Sequence, residues 1–518
     1  MRLRRPTAES LLALCGAAVG LIGIASALTP EFANRLDVVQ GVLPPGVPEG
    51  ARVAALAFGV ALVWLSGALA RRRRRAWVLA VAVVIASAAA HLAKGLDVEE
   101  ASISVALLVA LLVYRKRFDV PGDPRPVRPL VGFGVAGLAA VALAAGTELR
   151  HGAIPDRVGD CVAAVGLLAA FYALYLWLRP LSEAVAQTRA ERRLARELVD
   201  TYGRDSLSFF SLRHDKSFFF SPTRRAFLAY RVVSGVALVS GDPVGDEREF
   251  ESLVAEFRRV AHARGWRVAI LGASEASAAR YRRLGLRAVP IGNEAVLDPR
   301  TFSLEGRSIR KVRQSASRLT KAGYGFRVVD AAAADRDAVR EVSEAWRGNQ
   351  VERGFSMSMD DLHADGTMLA LAEDAGGALG GFLHLVPAGA GWSLSTMRRS
   401  PGTPNGLIEF LVVEALAWAK SVDAEELSLN FCALSDWLEP TQAVTPVRRA
   451  VRRVLLVFDR IFQLERLRTF NRKFHPEWRP RYLCVERVGD LPLVALAYLR
   501  VEQLLTPPVP WRRERVSH

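Results

Sequence analysis

The chain has 518 residues, enough for about three domains of ordinary size, and its formal net charge of +16 favours an anionic partner such as nucleic acid or acidic lipid. A mean hydropathy of +0.17 beside 24% charged residues indicates a chain that is part membrane and part soluble. The cysteines show no metal-ligand spacing and do not suggest a disulfide framework, so we expect structural roles for Cys15, Cys161, Cys432 and Cys484.

Six apolar runs occupy the first third of the sequence, and most approach the roughly 20 residues that a bilayer core requires. They lie at about 10–28, 52–70, 76–95, 101–114, 129–146 and 159–178. The connecting loops alternate between arginine-rich and arginine-poor, and the rich loops are expected on the inner side. We therefore predict a membrane domain over residues 1–180 with about six transmembrane helices, both termini in the cytoplasm, and a cytoplasmic remainder.

A polar, arginine-rich helix is predicted at 181–198, either as a solvated linker or as a surface that rests on acidic lipid head groups. Strands and helices then alternate twice in the same order, which predicts a mixed α/β region with a duplicated fold. We expect a first domain over 181–305, a second over 324–490 and a C-terminal tail helix over 491–518.

A basic helix is predicted at 306–323, between the two domains, and its cations face no acidic residue between Glu305 and Asp330. A charge run is usually a solvated face, but six uncompensated cations make contact with a polyanion an equally good interpretation. These cations are Arg307, Arg310, Lys311, Arg313, Arg318 and Lys321.

A candidate anion site follows the strand predicted at 392–397. Arg398 and Arg399 open a loop that contains Gly402 and Gly406 and leads into a helix predicted at 407–420. The start of a helix leaves N–H groups unpaired, glycines allow a ligand to approach closely, and two arginines add charge. The sequence thus favours a phosphate site here, with a tight turn carrying solvated arginines as the alternative.

Five separated blocks carry a resemblance to a known family. They are S-G-D-P-V-G at 240–245, the basic helix, V-E-R-G-F-S-M at 351–357, M-R-R followed by N-G-L-I-E-F-L at 397–411, and the segment 462–483. Residues from about 200 to 486 resemble the catalytic domain of the lysylphosphatidylglycerol synthases, the multiple peptide resistance factor family. The resemblance is to its actinobacterial branch, in which some relatives are fused to a lysyl-tRNA synthetase.

This resemblance implies tandem Gcn5-related acyltransferase folds. The residues show no metal-ligand cluster, and we expect no cofactor. It also implies transfer of an aminoacyl group, typically lysyl, from its tRNA to phosphatidylglycerol, which makes the membrane surface more cationic. The expected partners are aminoacyl-tRNA, phosphatidylglycerol and anionic membrane lipid. We assign catalytic roles to Arg398, Glu352 and Glu409, and tRNA contacts to the six cations of the basic helix. Further substrate contacts are assigned to Ser395, Arg399, Gly402, Gly406, Asn430, Lys473 and Arg481.

One position departs from the family pattern. The family usually has an aspartate three residues before the arginine of the strand end, where this chain has Ser395 before Arg398. A hydroxyl can accept a hydrogen bond from an ammonium group but supplies no charge. Two alternatives stand beside the transferase. Ser395 favours a degenerate relative that binds lipid or tRNA, and Arg399-x-x-Gly402 partly matches the phosphate loop of an acyltransferase that uses acyl-CoA. His384 and His475 are candidate bases with packed or surface histidines as the alternative, and Asp242 is expected to shape a turn.

Overall fold

The computed structural model describes residues 8–28, 47–95, 97–122, 177, 183–348, 354–355, 357–433 and 464–503. These residues form two compact units, one from 1–182 with 260–266 and the other from 183–259 with 267–518. The described helices of the first unit are α1 (Ala8–Leu28), α2 (Val47–Leu69), α3 (Arg74–Gly95) and α4 (Val98–Val113).

These four helices coincide with the first four predicted apolar runs, and the runs at 129–146 and 159–178 fall outside the described residues apart from Trp177. By length and composition alone, Ala8–Leu28 and Arg74–Ala93 are long and apolar enough to cross a membrane. A Cβ on Gly20 would lie 2.6 Å from the carbonyl oxygen of Gly59, so α1 and α2 approach closely because both positions are glycine.

The second unit is mixed α/β, as predicted. Its helices are α5 (Arg189–Tyr202), α6 (Phe250–Ala263), α7 (Glu275–Arg283), α8 (Arg310–Lys321), α9 (Arg336–Arg347), α10 (Leu407–Ser421), α11 (Leu464–Arg472) and α12 (Leu491–Val501). Its strands are β1 (Ser217–Phe220), β2 (Ala226–Val233), β3 (Val236–Ser240), β4 (Val244–Gly245), β5 (Arg267–Ala273), β6 (Arg287–Leu297), β7 (Gly325–Asp330), β8 (Met368–Glu373), β9 (Leu379–Ala388), β10 (Gly391–Arg399), β11 (Leu427–Ala433) and β12 (Glu477–Val485).

One sheet holds all of these strands, in the order β1-β2-β3-β5-β12-β6-β11-β10-β9-β8-β7, with β4 paired to β2. Each half of the sequence begins with antiparallel strands, and a helix then leads to a strand that runs parallel to one of them. In the first half β5 runs parallel to β3, and in the second half β11 runs parallel to β10. The final strands then cross over, because β12 pairs with β5 and β6 pairs with β11. The predicted duplication is therefore present, and the halves exchange their last strands within one sheet.

The two faces of the sheet are covered by different helices. Neighbouring residues of a strand point to opposite faces. Leu383 and Leu385 pack with α8 and α10, whereas Phe382 packs with Val339 and Val342 of α9. We call these sides the α10 face and the α9 face.

Two predicted boundaries are corrected. The helix predicted at 181–198 begins only at Arg189, since Thr188 caps it: the Thr188 hydroxyl accepts from the Glu191 N–H at 3.2 Å, and the Glu191 carboxylate accepts from the Thr188 N–H at 2.8 Å. The tail helix is α12 and ends at Val501, and residues 504–518 lie outside the described residues.

Candidate functional site

The parallel strands β10 and β11 separate soon after they meet. They pair only at Trp392 with Leu427 and at Ser393 with Ser428. Beyond these pairs, the register of β10 against β9 shifts between Leu394 and Thr396, and the register of β11 against β6 shifts after Ser428. The two shifts bend the strands apart and leave an opening in the sheet.

The equivalent strands in the first half stay closed. β3 and β5 pair continuously from Val236 with Arg267 to Ser240 with Leu271, and the Gly241 N–H donates to the Leu271 carbonyl at 2.8 Å. Among the described strands, the parallel pair of the first half therefore stays hydrogen-bonded along its length, whereas that of the second half separates.

Asn430 and Ser395 define the edges of this opening. Asn430 has a φ of 66°, a left-handed conformation that asparagine tolerates better than most residues. Its Nδ2 donates to the carbonyls of Leu394 and Met357, each at 3.1 Å. The Ser395 hydroxyl accepts from the Met359 N–H at 2.9 Å. Both predicted substrate contacts thus hold a loop that passes beside the opening.

The same loop is held from the first half of the sequence. Arg213 donates to the carbonyl of Ser358, and the His214 N–H donates to the Asp360 carboxylate at 2.9 Å. The turn that precedes β1 therefore fixes the loop in the second half.

Lys216, in the same turn, is fully buried and was not singled out from the sequence. Its Nζ donates to the Phe210 carbonyl at 2.6 Å and to the Ser240 hydroxyl at 2.7 Å, and it lies 4.8 Å from the centre of the Phe355 ring. Burial, and then repulsion from Arg213, lowers the pKa of Lys216 to about 7. A lone lysine carries no sequence signal for such an environment.

Arg398 and Arg399 do not form the paired anion site that was predicted. Arg398 pairs across the sheet with Phe382 and its guanidinium donates to Ser343 of α9, so it lies on the α9 face. Arg399 points to the α10 face, where its Nη1 donates to the Thr403 carbonyl at 3.2 Å. The strand continues through Arg399, so successive side chains alternate between the faces.

His384 lies on the same face as Arg398 and is fully buried, with Nε2 3.0 Å from the Thr367 hydroxyl. Burial, with smaller contributions from His363 and Arg398, lowers the pKa of His384 to about 3. The imidazole is therefore neutral near pH 7, and so low a pKa makes it a weak general base. A histidine packed in the core, the alternative to a catalytic base, therefore describes His384 better.

The loop after β10 brings the basic helix to the start of α10. Gly406 precedes α10 with a φ of 100°, and a Cβ there would lie 2.8 Å from the Cβ of Ser315 in α8. At Gly402, no atom of the described residues beyond its immediate neighbours in the chain lies within 4 Å of the corresponding position. A glycine is thus required at 406 by both conformation and close approach, whereas the surroundings leave 402 open to a ligand.

Glu409, in the first turn of α10, accepts a hydrogen bond from the Lys473 ammonium at 2.8 Å. The carboxylate is mostly buried and the lysine is more exposed, at 17% and 39% of their side-chain surfaces. The structure therefore brings these two predicted residues together on the α10 face, where they neutralise each other.

The basic helix α8 packs against α10 through Val312, Ala316 and Leu319. All six predicted cations are exposed, and within the described ranges none has a carboxylate within 4 Å. Arg313 donates to backbone carbonyls, including that of Gly306 at 3.3 Å. The helix thus presents uncompensated positive charge beside the loop that precedes α10.

Arg481 is not available as the phosphate contact that was predicted. It is 4% exposed, and its donors bond to the carboxylates of Glu294 at 2.5 and 2.9 Å and Asp205 at 2.7 Å, the Ser206 hydroxyl at 2.8 Å and the Gly272 carbonyl at 3.3 Å. Five hydrogen bonds saturate a guanidinium. Arg481 therefore joins β12 to β6 and to the segment before β1.

The remaining residues singled out from the sequence are Glu352, His475 and Asp242. Glu352 lies outside the described residues. His475 is exposed. Asp242 accepts from the Ser274 N–H at 3.2 Å, and burial, together with the nearby Asp205 carboxylate, raises the pKa of Asp242. Among the described residues, no cluster of three potential metal ligands is found.

Comparison with known proteins places these observations in a family. Residues 196–485 match the family described as phosphatidylglycerol lysyltransferase, C-terminal. The chain is 32% identical over 505 residues to the lysylphosphatidylglycerol biosynthesis bifunctional protein LysX of Rhodococcus jostii, covering 88% of this chain and 45% of that protein. The LysX of Mycolicibacterium vanbaalenii is 34% identical over 512 residues, covering 89% and 46%. The chain thus spans just under half the length of these relatives.

Two solved structures have similar folds. L-PGS from Bacillus licheniformis matches with a TM-score of 0.56 and 24% identity, over 63% of this chain and 100% of that one. The C-terminal domain of a putative lysylphosphatidylglycerol synthetase from Agrobacterium fabrum matches with a TM-score of 0.52 and 27% identity, over 60% and 96%. The predicted fold class, an α-helical region followed by the α/β acyltransferase-like region of this family, is confirmed.

Proposed function

We propose that this chain, which belongs to the phosphatidylglycerol lysyltransferase family, transfers an aminoacyl group from aminoacyl-tRNA to phosphatidylglycerol. Lysyl is the first candidate for that group. The observation that carries the proposal is the opening between β10 and β11, which has Ser395 and Asn430 at its edges and no equivalent between the described strands β3 and β5.

The reaction needs no redox step and no external activation. A glycerol hydroxyl oxygen of the lipid attacks the carbonyl carbon of the ester, the bond to the ribose oxygen breaks, and the hydroxyl proton ends on the ribose oxygen. Because the ester is already activated, the protein mainly positions the reactants and stabilises the transient oxyanion. We assign the oxyanion or aminoacyl contact to Arg398, whose buried guanidinium lies at the end of β10.

We place the tRNA on the α10 face. There the exposed cations of α8 adjoin the loop that contains Gly402, and Arg399 at the end of β10 lies on the same face. The phosphates of an acceptor stem and the terminal nucleotide would therefore meet positive charge along one path. Glu409, already paired with Lys473, would orient this end of the site or receive the amino group. Glu352 remains a proposed second acid.

The apolar helices, taken with the family, indicate membrane association. We propose that the chain is a multi-pass protein of the cell membrane, with residues 1–180 as the membrane domain and the catalytic region in the cytoplasm. Charged tRNA is a cytoplasmic substrate, which supports this orientation. The two acyltransferase-like domains would be 181–305 and 324–490, joined by the basic segment 306–323.

The test is the transfer of labelled amino acid from several charged tRNAs into phosphatidylglycerol vesicles by the purified chain. Arg398→Ala should reduce transfer by about one to two orders of magnitude, the cost of a lost charged hydrogen bond, and Arg398→Lys should restore little because lysine lacks the planar fork. Arg248→Ala, which removes an exposed arginine elsewhere, is the matched control and should leave transfer unchanged. If wild type transfers nothing from any tRNA yet binds tRNA or lipid, the degenerate binding relative replaces this proposal.

A further inference from the structure

Lys216 is a fully buried lysine that joins the two halves of the sequence. Its Nζ donates to the Phe210 carbonyl at 2.6 Å and to the Ser240 hydroxyl at 2.7 Å, both in the first half. The same atom lies 4.8 Å from the centre of the Phe355 ring, in the second half. An ammonium group has three N–H donors, so the two oxygens use two of them and the third remains for the ring.

The loop beside the opening follows Phe355 closely in the sequence, and we call its residues 357–360 the site loop. The Met357 carbonyl accepts from Asn430 Nδ2 at 3.1 Å, and the Met359 N–H donates to the Ser395 hydroxyl at 2.9 Å. The site loop therefore contacts both edges of the opening, and a change in its position would alter the surroundings of both edges.

Two groups fix the position of the site loop. Phe355, two residues before the loop, is fully buried in the apolar cluster that also contains Met359 and Phe431. Arg213, in the same turn as Lys216, donates to the Ser358 carbonyl within the loop. The turn before β1 thus holds the site loop directly through an arginine and at its start through the ring that faces Lys216.

The charge of Lys216 changes near neutral pH. Burial, and then repulsion from Arg213, lowers the pKa of Lys216 to about 7, against the opposing effect of three carboxylates. These are Asp215 of the same turn, Glu502 just after α12 and Asp360 of the site loop. The quadrupole of an aromatic ring attracts a cation, and the neutral amine lacks that charge. The attraction between Lys216 and Phe355 is therefore strong at slightly acidic pH and weak at alkaline pH.

We propose that Lys216 is a positioning residue for the transfer, which in its ammonium form holds the Phe355 ring and thereby the site loop against the two edges of the opening. The inference rests on the proposed function, and it gives the first half of the sequence a part in the reaction of the second half. A neutral amine has two N–H donors, so loss of the proton keeps both hydrogen bonds of Lys216 and removes the attraction of the ring. The site loop is then held less firmly, and the rate of transfer falls.

The first test compares the kcat for transfer at about pH 6 and about pH 8.5, on either side of the Lys216 pKa, in the full-length chain in detergent micelles. Phe355→Leu keeps an apolar side chain and the hydrogen bonds of Lys216 but removes the ring. Its kcat should be about tenfold below wild type at the lower pH and within about twofold of wild type at the higher pH. Lys216→Met also loses the hydrogen bonds, so its deficit should be larger but should shrink in the same direction.

A control and the KM values complete this test. Lys420→Met removes an exposed lysine and should match wild type at both pH values. The KM for each substrate should stay unchanged in both variants, because a positioning residue does not touch a substrate. A ratio of Phe355→Leu to wild-type kcat that is the same at both pH values overturns the proposal, since a ring that only fills space acts alike beside either form of Lys216. A rise in KM with unchanged kcat overturns it too, and where Phe355→Leu does not fold, the ratios for Lys216→Met decide.

The second test does not require transfer. Hydrogen exchange of the full-length chain, corrected for the intrinsic effect of pH, reports on the Met359 N–H that donates to Ser395. The site loop should exchange about tenfold faster in Phe355→Leu than in wild type at the lower pH, and at nearly the same rate at the higher pH. Equal exchange in wild type and both variants at the lower pH means that Lys216 does not hold the loop, and the proposal fails even where transfer is observed. Faster exchange in the variants of a chain that transfers nothing would refute the proposed function and keep the contact of Lys216 with the loop.

Discussion

Replacing Arg481 with methionine distinguishes a structural from a phosphate-binding role for this residue. The change leaves the Glu294 and Asp205 carboxylates without their cation in a site where Arg481 itself is 4% exposed. Breaking a buried ion pair by removing one partner costs about 3–5 kcal/mol. We expect a loss of that size in the free energy of unfolding, measured by urea denaturation of the detergent-solubilised chain.

The loss should also depend on pH. Burial by itself raises the pKa of Glu294, but Arg481 and hydrogen bonds from Ser206 and Ser428 outweigh it and hold the pKa below its usual value. In wild type this stabilisation is present above the unfolded pKa of the carboxyl and is lost as pH falls through the folded one. Without Arg481 the buried carboxyl takes up a proton more readily, so the deficit of the variant should shrink as pH falls.

The double variant Arg481→Met/Glu294→Gln is the control for this reasoning. A neutral amide removes one of the two stranded charges, so the double variant should be more stable than Arg481→Met alone. If the free energy of unfolding of Arg481→Met stays within about 1 kcal/mol of the wild-type value at every pH and only the KM for a substrate rises, Arg481 is a ligand contact and the structural assignment is wrong.

Three further predictions concern other charged positions. Lys216 has a pKa of about 7 in the fold against 10.5 for the free side chain, so the unfolded chain binds more protons than the folded chain between these pH values. The free energy of unfolding should therefore rise by up to about 1.4 kcal/mol per pH unit from pH 7 to 9.5, and urea denaturation of Lys216→Met should show no such rise. Replacing Arg310, Lys311 and Arg313 with alanine should weaken tRNA binding and flatten its logarithmic salt dependence by about 2; an unchanged slope in filter binding would leave α8 as a solvated face. Ser395→Asp keeps an acceptor for the Met359 N–H and adds a charge, so lysyl transfer should rise about tenfold, and equal transfer rates would show that the family's carboxylate has no local role here.

Local patterns predicted the elements around the site closely. The strand expected at 392–397 and the helix expected at 407–420 are Gly391–Arg399 and Leu407–Ser421. Alternation and helical periodicity are properties of neighbouring residues, so a single sequence displays them. The error at the strand end had a consequence: ending the strand at 397 placed Arg398 and Arg399 together in a loop, whereas the continued strand separates them onto opposite faces.

Contacts between distant parts of the chain could not be predicted in this way. Arg481 meets Glu294 and Asp205 across 187 and 276 positions, and no local pattern links such residues. The exchange of β6 and β12 between the halves is equally invisible to periodicity, because each strand looks the same whichever neighbour it pairs with. Burial of Lys216 depends on the same long-range packing.

The most direct test of the proposed transfer is mass analysis of total lipids from cells that make no aminoacylated phosphatidylglycerol of their own. Cells that express the wild-type chain should contain phosphatidylglycerol carrying an amino acid, with lysine as the first candidate, and cells that express Arg398→Ala at the same level should contain little of it. Absence of any aminoacylated phosphatidylglycerol from cells with abundant, folded wild-type protein would contradict the proposed transfer to this lipid.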